Sequence, residues 1–430
     1  MRPCDVRQAD SSKSYEAEDD DTELFLDSKP ASLREVLLSL ALPLYLPMLL
    51  LFFAFAMLTP VVPLFAASLG ASPRGVGVVV AARAFGAFAA TLPAGEAVSR
   101  LGPRQATLVG AAVYSLSCLW GWTSSDLFTL ALSRALAGAG YALYSLAQQT
   151  HVRLHCPVSL RGRVLATVGG TFRISSTLGP LAGGAIAQRV GFRAVFGVQM
   201  LASLPALPLI AAFMRPPQGT IHAAAERKPG MAELLLFVKA NQKLVFVAWV
   251  ATLLMAVVRS VRDLLVPLGA AAAGMSRAGT GAVLALSYAS DTLVFPLGGF
   301  MMDRRGCWLA GGTACALMGL GLAVMALGGP GSLVAASVIM GIGNGFSSGI
   351  VMALGSDCAP SHCAGPVLAT FNFVNAAGGV LGPLVIGAIA STSLGAGADA
   401  SAMIAVAGAL WWLFCLPRPQ RLASAAAAQG

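Results

Sequence analysis

Long apolar runs alternate with short polar interruptions along the whole chain. The runs fall at 46–69, 76–97, 105–124, 127–149, 164–187 and 192–214, then at 243–269, 279–301, 307–327, 332–354, 366–391 and 399–416. Each approaches or exceeds the roughly 20 apolar residues that carry a helix across a bilayer, so the pattern predicts twelve spans. Gly and Pro recur inside runs of helix length and no ten-residue alternation appears, which points to an all-α membrane protein and away from an outer-membrane barrel. The longest polar interruption, Arg215 to Lys243, opens with Pro216 and Pro217. It reads as a cytosolic linker, 215–242, between one six-helix bundle at 36–214 and a second at 243–417. Within it, Met231 to Lys239 is a candidate surface helix, a plain solvated linker being the other reading.

Composition agrees with the pattern. Of 430 residues, 57% are hydrophobic and 11% charged, with mean hydropathy +0.75, where a soluble domain carries about 25% charged residues. No large soluble domain remains to be placed, and a nucleic-acid binder is disfavoured despite the net charge of +9. That charge is uneven. Residues 1–35 hold ten of the 19 acids, including Glu16, Glu18, Asp19, Asp20, Asp21 and Glu23, so the rest of the chain carries +14. This segment lacks the basic start and short apolar stretch of a secretory signal and reads as a disordered acidic tail, with a second tail at 418–430. With both termini cytosolic, 19 Lys and Arg fall on the cytosolic side and four (Arg74, Arg189, Arg193, Arg277) in the opposite loops, which favours that orientation. None of the eight cysteines lies in an outside loop, so no disulfide is expected.

An internal repeat supports the count. A shift of 204 residues lays Pro63, Leu64, Gly70, Gly75 and Gly77 on Pro267, Leu268, Gly274, Gly279 and Gly281, and continues to Gly95, Arg100 and Gly102 over Gly299, Arg304 and Gly306. A shift of 203 then places Leu178, Gly179, Pro180 and Leu181 on Leu381, Gly382, Pro383 and Leu384. Two parallel halves related by a pseudo-two-fold axis along the membrane normal, with a site between them, are a transporter architecture.

The repeated loop motif carries a family resemblance. Gly95, Arg100, Gly102 and Arg104 between spans 2 and 3, and Gly299, Asp303, Arg304 and Gly306 between spans 8 and 9, resemble the cytosolic signature of the major facilitator superfamily. The likeness covers roughly residues 40–417. In the first copy, Ser99 stands at the Asp position and Pro103 at the first basic one. The resemblance implies a latch that holds the cytosolic side closed; a tight turn with positive-inside charges is the alternative. In span 4, Leu130, Arg134, Gly138 and Gly140 resemble the family's second signature, with Ala137 in place of its Gln, which makes Arg134 a proton-coupling candidate or a snorkelling interface residue. In span 5, Gly179, Pro180, Gly183 and Gly184 resemble the helix-packing motif of drug:proton antiporters, with Ser175 at its earlier glycine.

Charge inside the bilayer is costly, so each instance marks a candidate site. Arg83, Arg173, Arg259, Arg262, Asp263 and Asp291 are such charges, with Arg134 near an edge, and Asn372, Asn375 and Asn344 add polar groups. Spans 3, 6, 9 and 12 carry no ionisable residue in their interiors, the distribution expected if charges face a central cavity. Arg259 and Asp263 are i,i+4 neighbours that could neutralise one another. That pairing would leave Arg83, Arg173 and Arg262 to share Asp291, so a net positive cavity is expected. His151, His155 and Cys156, and Cys358, His362 and Cys363, lack standard zinc spacing, so no metal or other cofactor is expected.

These residues point to a monomeric secondary transporter of a small organic solute, with cargo and coupling proton meeting in a cavity within the lipid bilayer. An organic anion is favoured, with Arg173 and Arg262 as contacts and Asp263 or Asp291 as the protonatable group. A drug:proton antiporter exporting lipophilic compounds and a non-transporting sensor on the same fold are the alternatives. An enzyme is disfavoured, because all four histidines lie in loops or linker and no span offers a nucleophile beside a base.

Overall fold

The structure, a computed structural model, describes residues 37–156, 158–214, 231–359 and 364–416. The acidic segment 1–35, the linker positions 215–230, the segment 418–430, and His362 with Cys363 lie outside the described residues. Residues from Leu42 onward form one compact unit. In lipid a backbone satisfies its polar groups only internally, and the apolar runs accordingly become helices.

The first half comprises α1 (Leu46–Ser68), α2 (Pro73–Thr123), α3 (Leu127–His155), α4 (Val158–Arg189), α5 (Phe192–Ser203) and α6 (Ala206–Phe213). A short helix α7 (Met231–Ala240) occupies the second part of the linker. The second half comprises α8 (Gln242–Ala272), α9 (Arg277–Arg305), α10 (Cys307–Ala326), α11 (Pro330–Phe346), α12 (Ile350–Cys358), α13 (Ala364–Ala390) and α14 (Leu394–Leu410).

Among the described residues nine helical stretches are long and apolar enough to cross a bilayer, and the helix order is consistent with twelve passes. α2 is 51 residues long but turns at Gly102, whose φ of 78° and ψ of 162° divide it into two spans. Gly306 holds φ 88° and ψ 168° at the equivalent corner between α9 and α10. That backbone region is open almost only to glycine, a local reason for the glycine in both copies of the loop motif. α5 with α6, and α11 with α12, each make one interrupted pass. The second interruption, Ser347–Ser348–Gly349, falls inside a run that the hydropathy pattern reads as continuous; Gly349 there has φ 77°. α3 and α4, at 29 and 32 residues, exceed the length a bilayer requires.

Contacts between the halves are themselves paired. α2 packs on α13 and α4 on α9, while within each half α1 packs on α4 and α8 on α13. The repeat seen in the sequence is thus a repeat of helix neighbours.

Candidate functional site

At one end of the bundle the halves touch backbone to backbone. A methyl group added to Gly281 of α9 would collide with the Pro180 carbonyl of α4, and one added to Gly77 of α2 with the Pro383 carbonyl of α13. On the opposing faces, a methyl on Gly184 would sit 2.7 Å from the Arg277 carbonyl oxygen and one on Gly387 2.9 Å from that of Pro73. Lipid offers little hydrophobic drive for helix association, so close approach of small residues supplies the contact. Loop groups add to it. The Arg277 amide donates to Gln188 Oε1 at 3.1 Å, its guanidinium to the Ala187 carbonyl at 2.9 Å, and the Arg74 amide to Ser391 Oγ at 3.0 Å. Beneath them Leu264 and Leu268 of α8 are buried against Val61, Val62 and Phe65 of α1.

At the other end the halves stand apart around a cavity of about 660 Å³. Its described lining comes from α1 to α4 in the first half and from α8, α9, α11, α12 and α13 in the second, along with residues preceding α1 and between α11 and α12. Among the described residues, nothing lines it from α5, α6, α10, α14 or the part of α2 after Gly102, as the distribution of ionisable residues predicts.

The cavity holds Arg83, Arg173, Arg259, Arg262, Asp263, Asp291, Asn344 and Asn375, joined by Gln148, Ser176 and Tyr288. Asp291, 7% exposed, is a hub. Arg173 Nη1 reaches its Oδ1 at 2.9 Å from the opposite half, and Asn344 Nδ2 donates to its Oδ2 at 2.6 Å. Arg173 also donates to Ser348 in the α11–α12 break and lies 4.1 Å from the Phe295 ring centroid. A second cluster surrounds Asp263, which accepts from Tyr288 OH at 2.9 Å and lies 3.6 Å from Arg262 Nε. Arg262 in turn stacks 4.2 Å from the Tyr288 ring centroid.

The geometry corrects two expectations. Asp263 pairs with Arg262, not with its i,i+4 neighbour Arg259, because Tyr288 from α9 holds the short carboxylate toward Arg262. Asp291 is not shared among three arginines, since Arg173 takes one oxygen and Asn344 the other. Among the described residues, no carboxylate lies within ion-pair distance of Arg83 or Arg259; Arg83 instead sits 4.7 Å from the Phe55 ring centroid.

The remaining predicted residues scatter. Asn372 is exposed and absent from the cavity lining, whereas Asn375, one helical turn on, lines it. Arg134 is buried beside the Phe196 ring, away from the main cavity. Gly95 and Gly299 meet no atom that an added methyl would contact, and Arg100, Asp303 and Arg304 are exposed. Arg100 pairs with Glu96 at 2.5 Å on its own helix, and Arg104 donates to the Ala211 carbonyl of the same half. The two loop motifs are therefore not engaged with one another here. In α4, Gly179 and Gly183 pack on Ala56 and Met57 of α1, while Pro180 and Gly184 face α9. The motif thus serves both an intra-half and an inter-half contact.

Tyr288 and Ser348 were not anticipated. Tyr288 precedes Asp291 by three residues, which places it on the same helix face, and the Ser-Ser-Gly triplet is a legible breaker signal; both could have been found.

Comparison with known proteins follows the same lines. The chain is 30% identical over 125 residues to a Mycobacterium tuberculosis protein described as an uncharacterized MFS-type transporter, covering 29% of this chain and 21% of that one. It is 25% identical over 171 residues to the multidrug efflux pump SdrM of Staphylococcus aureus, covering 38% of each. The efflux pump FUS6 of Gibberella moniliformis is 27% identical over 168 residues, covering 38% of this chain and 30% of the pump. The matched segments thus span about a fifth to two fifths of these relatives' lengths. Among solved structures, a D-xylose–proton symporter superposes with TM-score 0.74 at 16% identity, covering 89% of this chain and 99% of that one. A peptide transporter POT in complex with sulfate gives TM-score 0.72 at 15% identity, covering 88% and 94%. Likeness at this identity speaks for the fold. Residues 44–383 match the family model described as the Major Facilitator Superfamily, so this multi-pass integral membrane protein belongs to that family.

Proposed function

We propose that the chain is a secondary transporter that carries a small organic anion by alternating access, coupled to protons. The observation that supports the charge of the cargo is the pairing pattern in the cavity. Four arginines face two aspartates, and the two left without a carboxylate, Arg83 and Arg259, come one from each half. An anion between them would bridge the halves, and its binding would differ between states in which the halves move apart or together. Arg173 and Arg262, the contacts that the sequence favours, are committed to Asp291 and Asp263. Protonation of either aspartate would free its arginine for the cargo, which couples proton and anion without a further group.

On this reading the open end is cytosolic, as the distribution of Lys and Arg favours, and the loop motifs engage when that end closes. Purified protein should be stabilised by organic anions and not by cations of similar size. Arg83→Gln and Arg259→Gln should each raise the concentration needed at least tenfold. A second reading, export of lipophilic compounds, draws on the efflux pumps among the relatives and on the aromatic wall of Phe52, Phe55 and Tyr141. Stabilisation by cations alone, unchanged in both Arg variants, would replace the first reading with the second.

A further inference from the structure

A smaller chamber of about 120 Å³ lies between the main cavity and the seal, walled by α1, α2, α3, α8 and α13. Phe55, Arg83, Ser260, Asp263 and Gly379 line both spaces, so the two meet at a neck. Past the neck the wall is largely apolar, with Leu58, Val62, Val79 and Val80, and one cation is set into it: Arg134 of α3.

Arg134 is 3% exposed, and its Nε and Nη2 have no hydrogen-bond partner. Its electrostatic neighbours are Cys118, Tyr114 and Arg83, two ordinarily neutral groups and a second cation. The Phe196 ring, 5.1 Å away, contributes a cation–π contact but no counter-charge. Asp263, the carboxylate of the chamber wall, lies beyond ion-pair distance of Arg134 and is engaged by Arg262 and Tyr288. A guanidinium withdrawn from water is strongly disfavoured without a compensating anion and hydrogen-bond acceptors.

We infer that this chamber is an anion subsite in which Arg134, with Arg83 at the neck, holds one small anionic group, a halide or a carboxylate. The group has two sources, a free inorganic anion or the acidic end of a solute whose body lies in the main cavity. The inference goes beyond the anion-carrier reading and does not depend on transport, because a chloride could sit here in a carrier of any cargo.

Thermal unfolding of the purified full-length protein tests it, with sodium gluconate replaced stepwise by sodium chloride or sodium formate at constant ionic strength. The six-carbon gluconate is too bulky for the chamber. The expected result is a saturable rise in Tm with chloride or formate. Its midpoint concentration should increase at least tenfold in Arg134→Gln, recover in Arg134→Lys and stay unchanged in Arg305→Gln, since Arg305 is exposed and lines neither space. If Arg134→Gln does not fold, Ala84→Leu, which fills the chamber and leaves the guanidinium in place, should show the same loss. A response to chloride assigns the site to free anions; a response to formate alone assigns it to the acidic end of a solute. The absence of any saturable response, one that survives both Arg134→Gln and Ala84→Leu, or an equal loss in Arg305→Gln would overturn the inference. The carrier reading would stand or fall separately on Arg259, which lines only the main cavity.

Discussion

At the sealed end, Pro180 and Gly184 meet Gly281 while Pro383 and Gly387 meet Gly77, with no side chain between the helices; at the open end, Gly95 and Gly299 face open space. Both ends are built from the same repeat, so the difference lies in what each uses to close. The sealed end relies on backbone contact, which tolerates no added atom and no small displacement. The open end carries exposed charges, Arg100, Asp303 and Arg304, that remain solvated while the halves are apart. On the proposed reading one closure is geometric and the other electrostatic, and the two should respond to different perturbations.

The largest effect is expected from attacking the geometric closure. Gly77→Leu combined with Gly281→Leu places side chains where carbonyl oxygens now lie, so transport should fall at least tenfold. A Ser391→Cys reporter at that end should become markedly more reactive toward a membrane-impermeant thiol reagent. Unchanged labelling and transport would mean that these glycines do not form the seal.

Between the two ends, the Arg173–Asp291 pair ties the halves across the cavity. Asp291→Asn leaves the arginine without its counter-ion and should lower stability by roughly 2 kcal/mol, below the range for a fully buried pair because both groups keep some solvent. Arg173→Met combined with Asp291→Leu should recover much of that loss in thermal unfolding. Equal destabilisation in the single and double variants would argue that packing, not charge, sets the effect.

The electrostatic closure should respond more selectively. Asp303→Asn is expected to reduce transport severalfold and Ser99→Ala less than twofold, because only the second copy carries a carboxylate. Neither should change the stability of the conformation described here by more than about 0.5 kcal/mol, since both residues are exposed. Equal, negligible effects on transport would reduce both loops to turns that mark topology.

The smallest effect concerns the N-cap of α3 at the sealed end. The Thr129 backbone N–H, then its hydroxyl, hydrogen-bond the Asp126 carboxylate and hold its pKa below the ordinary 3.8. A depressed folded-state value means that the cap's full contribution is present above the ordinary one and is lost as pH falls through the lowered one. Asp126→Asn retains a capping side chain and should flatten only this acid limb of the Tm profile. An identical limb in both proteins would show that the cap is not its source.

Much of this was legible in residue order. Apolar run length placed the spans, and the ungapped repeat laid Gly77 on Gly281 and Pro180 on Pro383, but that Gly77 would face Pro383 and Gly281 face Pro180 came from the structure. Gly102 and Gly306 stood out as glycines of the repeated loop motif, and the structure supplies the reason, a corner with positive φ. The cavity walls were legible as well, because intramembrane charge must face away from lipid. The partners of those charges were not. Arg173 and Asp291 are 118 residues apart, and helical periodicity ranks neighbours only along one helix, which is why Arg259 looked the better match for Asp263 than Arg262.

By itself, then, the sequence determined the elements, their repeat and the faces that carry charge, since these follow from the bilayer's thickness and its intolerance of unpaired polar groups. Only the tertiary structure decided that Tyr288 turns Asp263 to Arg262, that Arg83 and Arg259 keep no carboxylate, that α11 breaks beside Arg173, and that one end is sealed while the other is open. Each depends on distances between helices far apart in the chain, which periodicity along one helix does not fix.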